Sequence, residues 1–533
     1  MADKKRTFFG GAAVLMVGSI IVKIIGACYK IPLVNVLGDV GYGHFMVAYT
    51  IFNVIMTIAV AGLPVAISKF IAEADALGRR NQVKKIFRVS LITLVSLGMV
   101  GFLVMLLGAG PLAAWQGDTG ARYAIMALSP CVLFLCTVTA FRGYAQGHGN
   151  MTPTSVSQVV EALLKLILGL AFTVYIMGLT FQTEAEKLEM GAAGAILGVT
   201  LGSLASLICL LFWYSRSGRQ DAAGGTDTAD TSRSILSRLL RIAVPITIGS
   251  SAVAIVSLID TNQVLNILQD KLGWTEEVAT GLYGTYQGCL NLYNLPSALM
   301  VPFTASVIPA VSAARARRNG LEARKVAESA LRISALIALP MGIGLCVLGS
   351  PIISLLYPKL DVAVAGPSMS ILGVASIFVC VMLLCNSILQ ANGFVNLPII
   401  TTVIGGLVKL VCNIFLVGNP DINVQGAAIS TLACFVVTAV LDVFIILRVV
   451  PSPPNFLRAF GKPLAASLIM GAGAWAVCGL TSNFLGPRIG CVAGILAGGL
   501  IYLFLVIFLR VFSKDDLELM PKGDKIARIL KIK

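Results

Sequence analysis

Apolar runs long enough to cross a bilayer recur through almost the whole of this 533-residue chain. About 20 apolar residues span the hydrocarbon core as an α-helix, so these runs restrict the fold to a bundle of membrane-spanning helices. Charged residues make up only 12% of the chain, against about 25% in soluble domains. We predict an all-α membrane protein with fourteen transmembrane helices near 8–31, 41–70, 87–113, 122–146, 155–179, 191–214, 241–266, 279–311, 327–350, 364–391, 397–417, 424–447, 461–482 and 488–512.

The placement of basic residues predicts the orientation of these helices. With the N-terminus inside, 29 of the 40 Lys and Arg residues fall in inside segments and five fall in outside segments. An excess of Lys and Arg is characteristic of cytoplasmic loops. We therefore expect both termini in the cytoplasm, and the net charge of +15 requires no nucleic-acid partner.

The chain contains an internal repeat. Residues of the first half of the chain recur in the second half at offsets of 241 to 244 positions. The matching pairs are Tyr42 and Tyr283, Asn53 and Asn294, and Lys165 and Lys409. The offset holds six predicted spans, an even number, so the halves form a parallel, pseudo-symmetric repeat. The expected parts are a six-helix bundle at 1–214, a flexible cytoplasmic linker at 215–240, a second six-helix bundle at 241–450, two C-terminal helices at 451–512 and a cytoplasmic tail at 513–533.

Lysines inside the predicted spans are the strongest functional signal. A lysine near the bilayer centre costs roughly 2.5–3.5 kcal/mol on insertion scales, so such residues usually face an internal cavity. Lys23 and Lys30 are seven residues apart and share one face of the first helix. Together with Lys165 and Lys409, they predict a cationic substrate-binding cavity for an anionic passenger.

Other polar residues in the spans complete the candidate site. Glu161 lies four residues before Lys165, a spacing at which the two side chains can pair. Asp260 is expected to pair with one of the lysines or to bind a coupling cation. The eighth span has a polar face that either lines the cavity or joins helices; with the repeat mate of its last member, the residues concerned are Gln287, Asn291, Asn294 and Asn53.

Several other residues are expected to have structural roles. Asp442 lies near a cytoplasmic helix end and is expected to snorkel to the interface. His44 and His148 lie near span ends and are expected to be ordinary polar residues. The twelve cysteines lie almost entirely in apolar runs and form no C-x-x-C pair, which predicts free thiols. We expect no metal ligands, no catalytic residues and no cofactor.

Three segments of the chain resemble a known family, namely KIIGACYKIPLVNVLG at 23–38, AGLPVAISKFIAEA at 61–74 and FRGYAQGHGNMTPTSVSQVVE at 141–161. They resemble the polysaccharide-exporter branch of the multidrug/oligosaccharidyl-lipid/polysaccharide (MOP) flippase superfamily. Within it, the chain resembles the MurJ-type lipid II flippases and the stage V sporulation protein B group. The resemblance implies two six-helix bundles around a cationic cavity, with two further helices that form a groove for a lipid tail.

The resemblance also implies roles for individual positions. Lys23 takes the place of a cationic first-span residue of the Gram-negative relatives, whereas their second arginine aligns with Tyr29, next to Lys30. The functional arginines of those relatives in spans two and eight have no counterpart here. Lys165 and Lys409 are expected to supply the cavity charge in their place.

The function implied is that of a flippase in the bacterial plasma membrane. It would move an undecaprenyl-diphosphate-linked wall precursor, with lipid II favoured, or a related lipid-linked saccharide, from the inner to the outer leaflet by alternating access. The expected partners are this lipid-linked oligosaccharide diphosphate, membrane lipids and the cell-wall synthesis machinery, and a monomer is expected. Coupling to Na⁺ or H⁺ stays open.

Two other classes of protein are also considered. A multidrug or organic-cation antiporter of the MATE type is disfavoured by the fourteen spans and the basic cavity, because such pumps usually have twelve spans and acidic cavities. An intramembrane enzyme that acts on lipid-linked sugars is disfavoured because glycosyl and phosphoryl transfer generally need clustered acids or metal ligands.

Overall fold

The computed structural model describes residues 2–217, 227–317, 320–509 and 511. Throughout these residues the regular secondary structure is helical, as predicted, with a 3₁₀ turn at Thr119–Ala121. The tail at 513–533 and part of the predicted linker, 218–226, lie outside the described residues. The α-helices are α1 (Ala2–Val60), α2 (Leu63–Ala76), α3 (Arg80–Leu107), α4 (Ala109–Gln116), α5 (Arg122–Gly147), α6 (Thr152–Met177), α7 (Glu184–Ser217), α8 (Ser232–Asp270), α9 (Glu276–Ala316), α10 (Gly320–Val347), α11 (Gly349–Leu356), α12 (Val362–Ala391), α13 (Leu397–Leu416), α14 (Gln425–Val449), α15 (Phe456–Leu485) and α16 (Pro487–Phe508).

Within the described ranges, twelve segments are long and apolar enough to cross a membrane. The first of them, Val17–Ala76, has 60 residues and would be about 90 Å long as one straight helix, three times the thickness of the hydrocarbon core. Gly38 interrupts it with φ 73° and ψ −167°, a conformation open essentially to glycine alone. This break falls between the first two predicted spans, 8–31 and 41–70. The count of fourteen spans stays a prediction.

Local sequence signals account for several helix ends. Helices α2, α6, α13 and α16 each carry a proline at one of their first two positions, where the missing N–H has no intrahelical partner to lose. Asp361 caps α12 by accepting the backbone N–H of Ala363, and Asn455 caps α15 by accepting that of Arg458. These signals lie in the short segments between spans, so they limit where each span begins.

Contacts divide the described residues into two compact units. The first falls within Met1–Gln269 and Trp274–Gly284, and the second within Asp270–Gly273 and Thr285–Lys533. Helix α8 therefore groups with the helices that precede it. The six-plus-six division, with boundaries at residues 214, 240 and 450, stays a prediction.

In the first unit, glycines allow α6 and α7 to approach closely. A Cβ at Gly198 of α7 would overlap the Cα of Gly169 on α6. One turn further along α7, a Cβ at Gly202 would lie 2.7 Å from the carbonyl oxygen of Glu161. Small residues at crossings are a common basis of helix association in lipid, because the hydrophobic effect does not draw apolar helices together there.

In the second unit, one buried cluster joins five helices. Val311 of α9, Leu331 of α10, Ile388 of α12, Ile446 of α14 and Ala459 of α15 are each at most 2% exposed and belong to it. Packing of long aliphatic side chains supplies the dispersion contacts that hold helices together in an apolar solvent. This cluster therefore fixes the relative positions of these five helices, two of which, α9 and α14, carry candidate polar residues of the second unit.

We predict that Gly198→Ala destabilises the first unit. The added methyl group must displace backbone atoms of α6 rather than a flexible side chain, and overpacking of this kind costs about 1–3 kcal/mol. Gly479→Ala in α15 is the matched control, since a Cβ there meets nothing within 4 Å. Thermal unfolding of the detergent-purified variants measures both changes. Equal melting temperatures for Gly198→Ala and the unmodified protein would contradict the close crossing.

Candidate functional site

Lys165, near the middle of α6, lies against two tyrosine rings of α1. Its Nζ is 4.9 Å from the centroid of the Tyr49 ring and 5.1 Å from that of the Tyr29 ring. The same ammonium donates a hydrogen bond of 3.3 Å to the Tyr49 hydroxyl. A cation over an aromatic face gains about 0.5–2 kcal/mol, with the larger values where water is excluded. We call Lys165, Tyr29 and Tyr49 the lysine cage, because the two rings lie against the ammonium group inside the first unit.

The rings of the lysine cage are themselves held in place. Tyr29 is 1% exposed and donates its hydroxyl hydrogen to the carbonyl oxygen of Ala195 at 3.1 Å. Its ring packs on Gly169, where a Cβ would lie 2.8 Å from the ring. Tyr49 stacks on Phe45, with ring centroids 5.6 Å apart. Our sequence reasoning missed both tyrosines as lysine partners, and the available signal was the run of aromatic residues at helical spacing along α1.

Lys30, one of the two first-span lysines, directly follows Tyr29 of the lysine cage on α1 and is half-buried. Neighbouring ammonium groups repel each other, and the repulsion grows in a medium of low dielectric constant. Lys23 lies seven residues earlier on the same face of α1 and is exposed. The assignment of Lys23 and Lys30 to a substrate cavity stays a prediction.

Glu161 pairs with Arg142 of α5, so the expected pairing with Lys165 is wrong. The Nη2 of Arg142 is 2.9 Å from the Oε2 of Glu161, and the same guanidinium donates hydrogen bonds of 3.0 Å to Ser157 and Ser206. The planar fork of an arginine suits several acceptors at once, which a lysine on the same helix cannot match. Arg142 is half-buried within a candidate span rather than in a loop, and its place in the family-like FRGYAQG segment was the signal for it.

The second unit holds a comparable lysine. The Nζ of Lys409 on α13 lies 5.9 Å from the centroid of the Tyr286 ring and donates to the Tyr286 hydroxyl at 3.5 Å. That hydroxyl also hydrogen-bonds Thr431 of α14 at 2.7 Å. Each unit therefore contains a half-buried lysine beside a tyrosine whose position is fixed by other contacts.

The polar face of α9 changes from buried to exposed along the helix. Gln287 is 9% exposed, Asn291 is half-buried, and Asn294 is exposed. The side-chain amide of Asn294 donates to the carbonyl oxygen of Leu290 at 2.8 Å. Asn53 of α1, the predicted repeat mate of Asn294, is exposed as well. The role of these four polar residues as cavity ligands stays a prediction.

Two acidic residues of the candidate spans are buried. Asp260 of α8 is 6% exposed, and its role as a lysine partner or a cation ligand stays a prediction. Asp442 of α14 is 0% exposed and accepts a hydrogen bond of 2.6 Å from Thr401 of α13. The expectation that Asp442 snorkels is therefore wrong, because its side chain points into the packing against α13. In the part of the chain that the structure describes, no group of three or more His, Cys, Asp or Glu is placed to hold a metal ion.

His44 takes part in a buried polar contact. Its Nδ1 lies 2.7 Å from the Oδ1 of Asp118, and the two residues are 6% and 0% exposed. The neighbouring Thr119 donates its hydroxyl hydrogen to Glu276 at 2.7 Å. These contacts join α1, the turn before α5 and the first turn of α9, so they link distant parts of the sequence within the first unit.

The helical fold of the described residues and their candidate membrane spans are those of a multi-pass membrane protein. The chain belongs to the polysaccharide biosynthesis protein family: residues 8–315 match the family described as "Polysaccharide biosynthesis protein". Residues 273–360 match a second family with the same description.

Known proteins support this assignment. The chain is 26% identical to "Stage V sporulation protein B" of Bacillus subtilis (strain 168), over 97% of this chain and 98% of that protein. It is 23% identical to "Lipid II flippase MurJ" of the same organism, over 82% of each. These relatives confirm the resemblance that the sequence motifs predicted.

Two solved structures share the fold. A structure of "Lipid II flippase MurJ, inward closed conformation" gives a TM-score of 0.69 at 16% identity, over 93% of this chain and 99% of that one. An inward-facing multidrug resistance MATE family transporter of the MOP superfamily gives a TM-score of 0.66 at 17% identity, over 85% and 98%. The chain therefore has the MOP-superfamily fold.

We predict that Arg142→Gln destabilises the first unit, because Glu161 then keeps its charge without its guanidinium partner. A lost hydrogen bond to a charged group costs about 1.5–3 kcal/mol. The double variant Arg142→Gln/Glu161→Gln should recover most of this loss, since it removes both charges together. Thermal unfolding of the single and double variants measures the coupling. Additive effects of the two substitutions would show that the pair contributes nothing.

Proposed function

We propose that this chain is a flippase for a lipid-linked saccharide that carries a phosphate or diphosphate bridge. Undecaprenyl-diphosphate-linked cell-wall precursor, and lipid II in particular, is the favoured cargo. The headgroup crosses the protein from the inner to the outer leaflet by alternating access, while the polyprenyl tail stays in the bilayer. Fourteen spans in two parallel six-helix bundles and two further helices make up the proposed transporter.

The observation that carries this proposal is the half-buried ammonium of Lys165, which lies against the rings of Tyr29 and Tyr49, with Lys30 the next residue after Tyr29 on α1. Like charges within a low-dielectric interior destabilise each other, and a bound anion relieves their repulsion. The tyrosine rings stabilise Lys165 but contribute no negative charge. Phosphate oxygens form charge-assisted hydrogen bonds that are stronger than a contact with a ring. A diphosphate can therefore draw Lys165 from the tyrosines and bridge it to Lys30.

The membrane potential supports export of such a cargo. A diphosphate bridge carries about two negative charges at neutral pH, and moving them outward through an inside-negative potential is favourable by roughly 4.6 kcal/mol per 100 mV. The potential thus contributes a driving force whether or not Na⁺ or H⁺ is coupled. We propose accordingly that the protein acts in the bacterial plasma membrane with both termini in the cytoplasm, as a monomer that receives its cargo from cell-wall synthesis.

The names of the relatives point in the same direction. One is a lipid II flippase, and another is a sporulation protein. The fold alone does not separate these proteins from the multidrug pumps, since the two TM-scores differ little. Lys30 and Lys165 favour the first class, because an organic cation would be repelled by them. We therefore propose transport rather than chemistry, and an anionic lipid rather than a cationic drug.

We predict that Lys165→Ala abolishes export of the lipid-linked precursor and that Lys165→Arg retains a part of it. Arginine keeps the positive charge but not the compact geometry of the ammonium. Lys187→Ala is the matched control, because Lys187 lies in the same unit and pairs with Glu184 at its surface. Complementation of a flippase-depleted strain, scored by lysis and by accumulated precursor, measures the effect. Full complementation by Lys165→Ala would remove the lysine cage from the mechanism.

The same assay tests the first-span lysine that the family resemblance singles out. We predict that Lys23→Ala abolishes function while membrane insertion is preserved, since Lys23 is exposed and its removal leaves no cavity. Protein level in the membrane fraction is the control measurement. Growth of the depleted strain at the normal rate with Lys23→Ala would exclude Lys23 from substrate handling. Unchanged precursor export together with altered drug sensitivity would favour the multidrug class instead.

A further inference from the structure

A groove of about 600 Å³ lies between the N-terminal turns of α3 and the first turns of α8, within the first unit. Four cationic side chains line it: Lys84, Lys85 and Arg88 from α3 and Arg233 from α8. Charge counting assigns this end of both helices to the cytoplasmic side. The groove lies apart from the lysine cage, so an inference about it does not rest on the proposed function.

The groove is built by a segment that precedes α8 and folds against the start of α3. Asp227 accepts the backbone N–H groups of Asn81 and Gln82 at 2.9 and 3.0 Å, where the first amides of a helix have no intrahelical partner. Desolvation opposes the charged form of Asp227, but these hydrogen bonds outweigh it and lower the pKa of the carboxyl group below its ordinary value. Asp227 is therefore ionised at neutral pH, and at that pH its negative charge interacts favourably with the N-terminus of α3.

A second aspartate completes this connection. Asp230 forms ion pairs with Arg79, at 3.5 Å, and with Arg238, and it accepts a hydrogen bond of 3.0 Å from the side chain of Gln82. The hydrogen bond from Arg238 is the main cause of a pKa below the ordinary value for Asp230. Both arginines thus have a protein carboxylate beside them. The α3 and α8 ends are fixed relative to each other before any ligand binds.

The groove also has apolar residues in its lining. Val89, Ile92 and Leu236 contribute an apolar wall, and Ile92 is 59% exposed. Cations beside an exposed apolar surface at the end of a membrane-spanning helix match a lipid: the phosphate meets the cations, and an acyl chain covers the aliphatic side chains. A soluble phosphate compound would leave the apolar wall in water.

The geometry points to a binding site for an anionic phospholipid of the cytoplasmic leaflet, with its phosphate between Arg88 and Arg233 and one acyl chain along Ile92 and Leu236. Charge complementarity identifies the occupant, since each Lys or Arg near an anionic membrane surface strengthens association by about five-fold. A lipid bound there would contact both α3 and α8. It would therefore reinforce the connection between these helices that Asp227 and Asp230 already make through hydrogen bonds and ion pairs.

The test is lipid retention by the full chain, measured by native mass spectrometry after purification in detergent and titration with phosphatidylglycerol. The variant Arg88→Gln/Arg233→Gln removes one cation from α3 and one from α8, and it should weaken phosphatidylglycerol binding by about 30-fold. Lys325→Gln/Arg458→Gln is the matched control: it removes two exposed cations of the second unit and should leave the affinity for the groove lipid unchanged. Thermal unfolding without added lipid confirms that both variants are folded.

Four outcomes would overturn the site. Equal retention by the groove variant and the unmodified protein would show that the groove binds no lipid. An equal loss in both double variants would indicate a diffuse charge effect without a built site. Equal binding of phosphatidylethanolamine, which carries no net charge, would remove the charge selectivity. Displacement of phosphatidylglycerol from the groove by undecaprenyl diphosphate at much lower concentration would assign the groove to the lipid-linked cargo.

Discussion

Every charged side chain within a membrane bundle needs a compensating partner, and this requirement decides what the helices of this protein place beside each charge. Water cannot solvate the group, and lipid offers it nothing. Arg142 meets a carboxylate and two hydroxyl groups, whereas Lys165 and Lys409 lie against tyrosine rings and hydroxyls. Each of these contacts joins two helices, so the same contacts that compensate the charges also hold the helices in position.

The two kinds of partner have different consequences for function. An arginine paired with Glu161 is neutralised, so it attracts a passing anion only weakly. A ring offers a lysine only the negative face of its quadrupole, so this contact does not neutralise an ammonium charge as a carboxylate does. A phosphate can therefore replace the tyrosine contact of Lys165 at a small cost in free energy. When the anion leaves, the ammonium group can return to the tyrosine ring. Under the proposed function, Lys165 and Lys409, and not Arg142, suit a cargo that must be released.

The sequence predicted the class of fold, the intramembrane lysines and the family, because each depends on information local to a segment. Spans follow from the length of apolar runs, and the placement of Lys165 within one of them follows from the same runs; its role in transport stays a prediction. The partner of Glu161 could not be predicted in this way. The rule for residues four apart considers one helix only, and Arg142 reaches Glu161 from α5. The pairing of Lys165 with Tyr29 likewise joins residues from different helices.

The burial of individual side chains also could not be predicted from the sequence. The position of Asp442 along its helix sets its depth, but the direction of its side chain depends on how α14 packs on α13, and there it is 0% exposed. The position of surface charges in the cationic groove likewise depends on helix packing. Orientation in the membrane requires only that enough Lys and Arg lie on one side. Recognition of a particular lipid requires that Arg88 and Arg233 stand across a common groove, and that juxtaposition exists because Asp227 and Asp230 fold the chain back onto the start of α3. Many arrangements of the helices give the same count of Lys and Arg on one side of the membrane. Few of them place two of these residues across one groove, and the helix packing decides which arrangement forms.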